Sequence, residues 1–425
     1  METQRIRIAI IGGGLAGATA ANALFRLPHV DVHVFESAPA FSERGAAVGI
    51  NANAQAALNQ ILPDYKEMLD KAGAVPMSST RTILGSGKDA GTVIFDLKSG
   101  VSVHRASLLR ELLAPLPGEI LHPNKQLVAI NSKTAPDNRS NLELVFKDDT
   151  QYEFDAVIGA DGIFSSVRRH VLRDAAWPED YEASPAGFWD CRSLVPFEKA
   201  KAVLGEELFS EDRRYSWLGD GAMVMHDVLE GRTMVQCIVS AIDKDEPRSD
   251  SRKRVLTREN LTETLHAWLD GPIAGGIIDL TVGESNTHRY AQWEHKITPT
   301  YANDRVCLMG DAAHASTPWM GAGAGMALED AMVLGKLIAN ITSPDDIAAA
   351  FQAYDAIRRP RCQKVVDTSR DTGRLFCGQF GLDAADIRSR ISTRWNFILF
   401  LDMEAHIQEA LGEFSRFKHS QQGKR

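Results

Sequence analysis

An apolar run of β-branched character, Arg7-Ile8-Ala9-Ile10-Ile11, passes directly into Gly12-Gly13-Gly14-Leu15-Ala16-Gly17, and an Ala-rich stretch continues to Leu24. The pattern reads as strand, tight turn and helix. Gly12 permits the turn, Gly14 lets the backbone approach a ligand closely, and Gly17 lets the helix pack on the strand. A helix starting there aims its free N–H groups and positive dipole end at whatever fills the turn, which suits phosphate, with Ala16 in its first turn. Val30 to Phe35 alternates as a second strand, and Glu36 ends it, about 20 residues beyond the glycines. An acid at that position binds a ribose 2′-OH and repels a 2′-phosphate. The pattern therefore predicts a tightly held dinucleotide other than NADP, and leaves NAD and FAD both open.

At 425 residues the chain exceeds one ordinary core, so two domains or one large composite are expected. A net charge of −9 without a long basic run argues against nucleic acid or anionic membrane as partners. No apolar run reaches the length of a membrane span; Trp395 to Leu401 is too short and reads as core or interface. The chain runs from Met1 into a strand, which leaves no room for a secretory signal. The five cysteines, Cys191, Cys237, Cys307, Cys362 and Cys377, lack metal spacing. They predict small buried thiols, no metal site and a reducing, cytoplasmic setting.

Two further strands end in turns. Asp155 to Ala160 leads into Asp161-Gly162, and Ser165 to Arg169 then starts a helix. Arg305 to Met309 leads into Gly310-Asp311-Ala312-Ala313-His314. Pro318-Trp319-Met320 follows, then the small residues Gly321-Ala322-Gly323-Ala324-Gly325, and a long helix from Met326. Five small residues ahead of a helix make a second place where backbone can approach an electron-rich ligand.

Taken in order, these motifs resemble the flavoprotein aromatic hydroxylases of the para-hydroxybenzoate hydroxylase fold, and most of all the salicylate hydroxylase branch with its fungal relatives. The likeness runs over nearly the whole chain. It includes Glu43-Arg44-Gly45-Ala46-Ala47-Val48-Gly49-Ile50, His104-Arg105-Ala106-Ser107-Leu108-Leu109 and Tyr354 to Arg361. It implies an α/β fold: a Rossmann-like FAD-binding domain with an inserted β-sheet substrate domain and a helical C-terminal tail. The expected boundaries are 1–75, 100–175 and 285–345 for the FAD domain, 76–99 and 176–284 for the substrate domain, and 346–425 for the tail.

The resemblance also implies chemistry. FAD is the bound cofactor, and NADH or NADPH visits as electron donor. O2 taken up as a flavin C4a-hydroperoxide then hydroxylates a phenol or hydroxylated aromatic acid, with or without loss of CO2. Asp311 is expected at the ribitol, and Arg105 near the phosphates and ribitol. Pro318, Gly321, Gly323, Ala324 and Gly325 are expected along the isoalloxazine, Ala47 and Arg44 at the flavin loop, and Asp161 between FAD and the hydride donor. The competing reading of Arg105 and Arg44 is an exposed charge. His314 reads as structural. Monomer and homodimer both stay open. A polyketide-type phenol as substrate, or a non-hydroxylating FAD oxidoreductase, are the alternatives.

Within the substrate segment, Ala222–His226, Thr233–Ser240 and Ile277–Val282 are expected as strands and Thr257–Leu269 as a helix. Arg192 is expected to meet a substrate phenolate or carboxylate, against a simple salt bridge to Asp190. His226, expected at a strand end where relatives often carry Tyr, is a candidate substrate contact or base, against a merely structural histidine. Trp319, where salicylate hydroxylases often carry His, is a candidate aromatic wall for the substrate. In the tail, helical spacing places Leu399, Met403 and His406 on one face.

Overall fold

The computed structural model describes residues 5–42, 47–98, 100–134, 140–173, 182–245, 252–282 and 287–422. Among these residues the strands form four sheets. The first contains β1 (Ile6–Ile11), β2 (Val30–Phe35), β8 (Leu121–His122), β12 (Ala156–Gly159), β19 (Ala302–Asn303) and β20 (Val306–Leu308), in the order β19-β20-β12-β1-β2-β8. Pairing is parallel from β20 to β8, and β19 is an antiparallel edge. Its strands read as continuous apolar runs because helices cover both faces. The helix Leu15–Leu24 lies on one side against the long helix Gly323–Ala339.

A second, eight-stranded sheet contains β5 (Ser79–Leu84), β6 (Val93–Lys98), β13 (Ser184–Pro196), β14 (Arg214–Leu218), β15 (Ala222–Leu229), β16 (Met234–Ile242), β17 (Lys253–Val255) and β18 (His288–Glu294). Its order is β17-β18-β13-β16-β15-β14-β5-β6. One face covers a separate apolar core built on Trp217, Val224, Val239 and Trp268; the other faces the first sheet's module. This sheet draws on both sides of residue 285, because β18 pairs antiparallel with β13. A small sheet of β3 (Ala47–Ile50), β7 (Val101–His104) and β4 (Val75–Pro76) lies between the two modules. A hairpin sheet of β9 (Leu127–Thr134), β10 (Ser140–Phe146) and β11 (Gln151–Phe154) completes the set.

Three local expectations are corrected. Ile277–Val282 is not a strand: Ala274–Thr281 is a helix. Its buried positions Ala274, Ile277, Ile278 and Thr281 follow i, i+3, i+4, i+7, the helical period that a short apolar run conceals. In the tail, the helix Asn396–Leu399 ends before a new helix begins at Met403, so Leu399 shares no helix face with Met403 and His406. The expected helix from Thr257 is shorter, Arg258–Thr264, and Thr257 caps it by accepting from the Asn260 N–H. The tail otherwise runs as the helices Ile347–Phe376, Ala384–Ile391 and Met403–Gln422. No helix among the described residues is long and apolar enough to cross a membrane. All five cysteines are buried and unpaired.

The helix assignment at 274–281 is testable. Ile277→Ala removes a fully buried side chain from the second core and should cost about 2–5 kcal/mol in urea unfolding. A cost under about 0.5 kcal/mol, the range of surface substitutions, would contradict this packing.

Candidate active site

The first glycine turn is built as its sequence requires. Gly12 has φ +106°, and a Cβ there would collide with the Ala160 carbonyl of the neighbouring strand end. A Cβ on Gly17 would collide with the Gly12 carbonyl, so the helix sits as close to the turn as backbone allows. Gly14 caps that helix, whose first-turn N–H groups have no intrahelical acceptor. Glu36 accepts from the Gly13 N–H (2.8 Å) and the Ala38 N–H (2.7 Å), bracing the turn beside the cavity. Asp161 accepts from Ser166 N (2.7 Å), Ser166 Oγ (2.9 Å) and Val167 N (3.2 Å), and caps the helix Ser166–Leu172 at the cavity edge.

The two glycine motifs touch. Gly310 has φ +57°, and a Cβ on it would lie 2.9 Å from the Ala16 Cβ. Asp311 follows, exposed to the cavity, at the start of a short helix ending at His314. Gly321, at φ +60°, ends the turn Pro318–Met320, and the helix Gly323–Ala339 starts with its N-terminus at the cavity.

A buried ionic cluster fixes this second motif. Asp330 accepts from the Gly310 N–H (3.0 Å), Arg358 Nε (2.9 Å) and His314 Nε2 (2.6 Å). Its neighbour Glu329 accepts from Arg358 Nη1 (2.7 Å), Arg361 Nε (2.7 Å) and Asn53 Nδ2 (2.8 Å). Burial works against protonation of His314, but the facing Cys362 and Asp330 outweigh it and hold its pKa well above the ordinary value. Burial likewise works against the Asp330 carboxylate, but His314 and Arg358 outweigh it and hold its pKa well below the usual range. His314, Asp330 and Cys362 place three ligand-type atoms within 4.8 Å of one another. Arg358 already supplies a cation there, bonded to Asp330 and 3.5 Å from Cys362 Sγ. Of this cluster only His314, as structural, and Cys362, as a buried thiol, were legible in the sequence; for the rest, an acid pair on an Ala- and Met-rich helix, and Arg358-Arg359-Pro360-Arg361 on another, were the available signals.

Between the modules lies a cavity of about 890 Å³. Its lining includes Gly12, Gly14, Ala16, Glu36 and Lys125, then Arg105, Asp161 and Asp311, and Pro318, Trp319, Gly321, Gly323 and Ala324. Strand register sorts the sheet above it into rows. Thr82, Ser216, Met225, Ile238 and Arg192 form one row, largely apolar at its centre. Thr80, Arg214, Asp227, Gln236 and Leu194 form the next. Arg192 donates from Nε to Asp190 Oδ2 at 2.8 Å and faces the cavity at the row's end. Trp319 is 5% exposed, edge-on to Phe188 with centroids 5.0 Å apart, and seated on Gly373, where a Cβ would lie 2.5 Å from Nε1.

Four expected residues are not placed at the cavity. Arg44 lies outside the described residues. Gly17 and Gly325 do not line the cavity; Gly17 supports the turn and Gly325 packs against Ala54. His226, expected as substrate contact or base, sits within β15 and points away from the cavity. Strand alternation sends Met223, Met225 and Asp227 to the cavity and His226 into the opposite core, stacked on Tyr215 with centroids 4.9 Å apart. Burial pushes its pKa from 6.5 down to about 4. The cavity-facing Arg214, Asp227 and Gln236 were missed, because the register that gathers them is not visible in one strand alone.

The cavity fits a flavin dinucleotide: its lining includes close-approach glycines and helix N-termini from both glycine motifs, together with the exposed Asp311 carboxylate. A model of the FAD binding domain family matches residues 133–369. The chain is 33% identical to a 6-methylsalicylate 1-monooxygenase of Aspergillus terreus, over 100% of this chain and 95% of that one. It is 30% identical to a salicylate hydroxylase of Pseudomonas putida, over 95% and 94% of the two chains. A solved salicylate hydroxylase substrate complex superposes with a TM-score of 0.82 at 26% identity, covering 96% of this chain and 98% of that one.

Two outcomes follow. Arg358→Ala removes the fully buried cation that two buried carboxylates share and should cost about 3–5 kcal/mol in denaturant unfolding; a loss below about 1 kcal/mol would contradict the cluster's role. For His226, the unfolded imidazole binds a proton below about pH 6.5. The folded one stays neutral down to about 4. The unfolded state thus binds more protons in this window, and stability falls as pH drops through it. His226→Phe should flatten that acid loss while leaving the pH profile of activity unmoved; an unchanged stability slope would refute the burial.

Proposed function

The chain belongs to the FAD-binding-domain family of flavin-dependent aromatic-ring monooxygenases, and from that premise we propose that its substrate is a small hydroxylated aromatic acid of the salicylate type. The observation that carries this reading is the row Ser216–Met225–Ile238–Arg192. It offers an apolar platform with one arginine at its flank, in the same cavity that Pro318 to Ala324 line. FAD, when bound, accepts hydride from NADH or NADPH and activates O2.

The protein's residues supply the rest. The N-terminal amides at Gly14–Gly17 receive the pyrophosphate, and Asp311 takes up ribitol hydroxyls. The N-terminus of the helix Gly323–Ala339 offers N–H groups and positive dipole to negative charge on the flavin pyrimidine. Met225, Ile238 and Trp319 keep water from the reacting ring, which favours productive oxygen transfer over loss as H2O2. Arg192, tethered to Asp190, stabilises a substrate carboxylate or phenolate and so favours the more electron-rich ring. Names among the relatives, 6-methylsalicylate 1-monooxygenase and salicylate hydroxylase, support hydroxylation at the carboxyl-bearing carbon with loss of CO2. Five buried, unpaired thiols support a reducing, cytoplasmic setting. A monomer or homodimer is expected, readable by sedimentation.

The test is product mass. Holoenzyme given NADH or NADPH, O2 and a panel of salicylates should yield a catechol lacking the carboxyl group. NAD(P)H consumption giving only H2O2 across the panel would contradict the substrate class. Arg192→Ala should raise KM about ten- to a hundred-fold, as loss of a charged hydrogen bond does, and should uncouple NAD(P)H use from hydroxylation with FAD still bound. Unchanged KM and coupling would remove Arg192 from the mechanism.

A further inference from the structure

The polar row of the sheet ends in a bond that crosses between modules. Asp227 is 1% exposed, and both its oxygens are engaged. Oδ2 accepts from Ser102 Oγ on β7 (2.7 Å) and from Arg214 Nε on β14 (3.3 Å). Oδ1 accepts from Gln236 Nε2 on β16 (3.1 Å). Gln236 then uses its own oxygen to accept from the Ala47 N–H of β3 (2.9 Å). Arg214 Nη2 closes the circuit onto Ser102 Oγ (2.5 Å), directly over Gly49, where a Cβ would stand 3.1 Å from that nitrogen. Strands of the eight-stranded sheet and of the small sheet that carries β3 thus converge on one carboxylate.

β3 forms cavity wall through Ala47, Val48 and Gly49. Its antiparallel partner β7 runs directly into Arg105. A polar circuit this buried is costly unless every member is satisfied, so it has one low-energy arrangement rather than a range of them. Loss of one link leaves a buried donor or acceptor unpaired, and hydration of that group is the cheapest remedy. Water would then enter at the seam where the sheet meets the flavin-facing strand.

We propose that Asp227 and Gln236 are positioning residues that latch β3 to the substrate sheet and so keep the cavity closed to water over the bound flavin. In this role they set the spacing between the wall made by β3 and the sheet above it. The inference rests on the flavin-binding reading of the cavity, but not on the identity of the aromatic substrate.

Holoenzyme flavin fluorescence, quenched by iodide, reads closure without any turnover. Gln236→Leu cuts the link to Ala47 and should raise the quenching constant several-fold over the native holoenzyme. Gln236→Glu is sharper. A protonated carboxyl at that position can still accept from the Ala47 N–H and donate to Asp227, whereas the ionised form repels Asp227. The groups facing the position are Asp227 on β15, Arg214 on β14, Leu194 on β13 and the Ala47 backbone on β3, with Arg192 one row away. Two carboxyls that share a proton titrate apart, so quenching of Gln236→Glu should be native-like in acid and rise with pH, while the native enzyme stays flat. Product formed per NAD(P)H should fall in parallel. Quenching by both variants equal to native at every pH would overturn the latch. A native enzyme that holds FAD yet hydroxylates no ring would sink the substrate reading and leave the latch standing on quenching alone. Should Gln236→Leu fail to fold, the near-isosteric Gln236→Glu decides the matter.

Discussion

Arg358 is the side chain on which the site depends. Its guanidinium holds Glu329 and Asp330, adjacent acids on the helix Gly323–Ala339, with no exposure at any of the three. Asp330 in turn takes the Gly310 N–H, so the helix that presents Gly321 to Ala324 and the strand end that presents Asp311 are set by one buried cation. Attraction between such charges roughly offsets the cost of taking them out of water. The cluster is better understood as geometry than as net stability. It leaves little freedom in the distance between two parts of one cofactor site.

The same economy appears where the modules meet. Ala16 and Gly310 touch because neither carries more than a methyl group, which brings the N-terminal turn and the second motif into a single cavity. The circuit on Asp227 does the corresponding job on the far side, between β3 and the eight-stranded sheet. Side chains that face the reacting region, Met225, Ile238 and Trp319, are mostly apolar, and the charges around them are paired. The arrangement suits a reaction in which the cofactor carries the chemistry and the protein excludes water and orients a ring.

Local features were legible in the sequence where one short segment contained the whole signal. The strand, glycine turn, helix and Glu36 are such a segment, and so is Gly310-Asp311 after β20. Arg192 and Asp190 were legible as a pair because i, i+2 residues share a strand face. At His226 the resemblance misled: the position where relatives often carry Tyr lies within β15, and alternation turns its neighbours Met225 and Asp227, not His226, to the cavity. The run at 277–282 is too short for its period to separate helix from strand. Arg358, Asp227 and Gln236 were illegible for a deeper reason. Their partners lie on other strands or helices, and a lone buried polar residue in sequence does not disclose which carboxylate or amide it meets.

A crystal structure of the holoenzyme with a bound salicylate tests the central claim most directly. The account predicts FAD along the cavity from Gly12 to Ala324, with the aromatic ring between the isoalloxazine and the row Ser216–Met225–Ile238–Arg192, its carboxylate or phenolate toward Arg192. A ring bound on another face of the sheet, or FAD whose isoalloxazine lies away from Pro318 to Ala324, would contradict it.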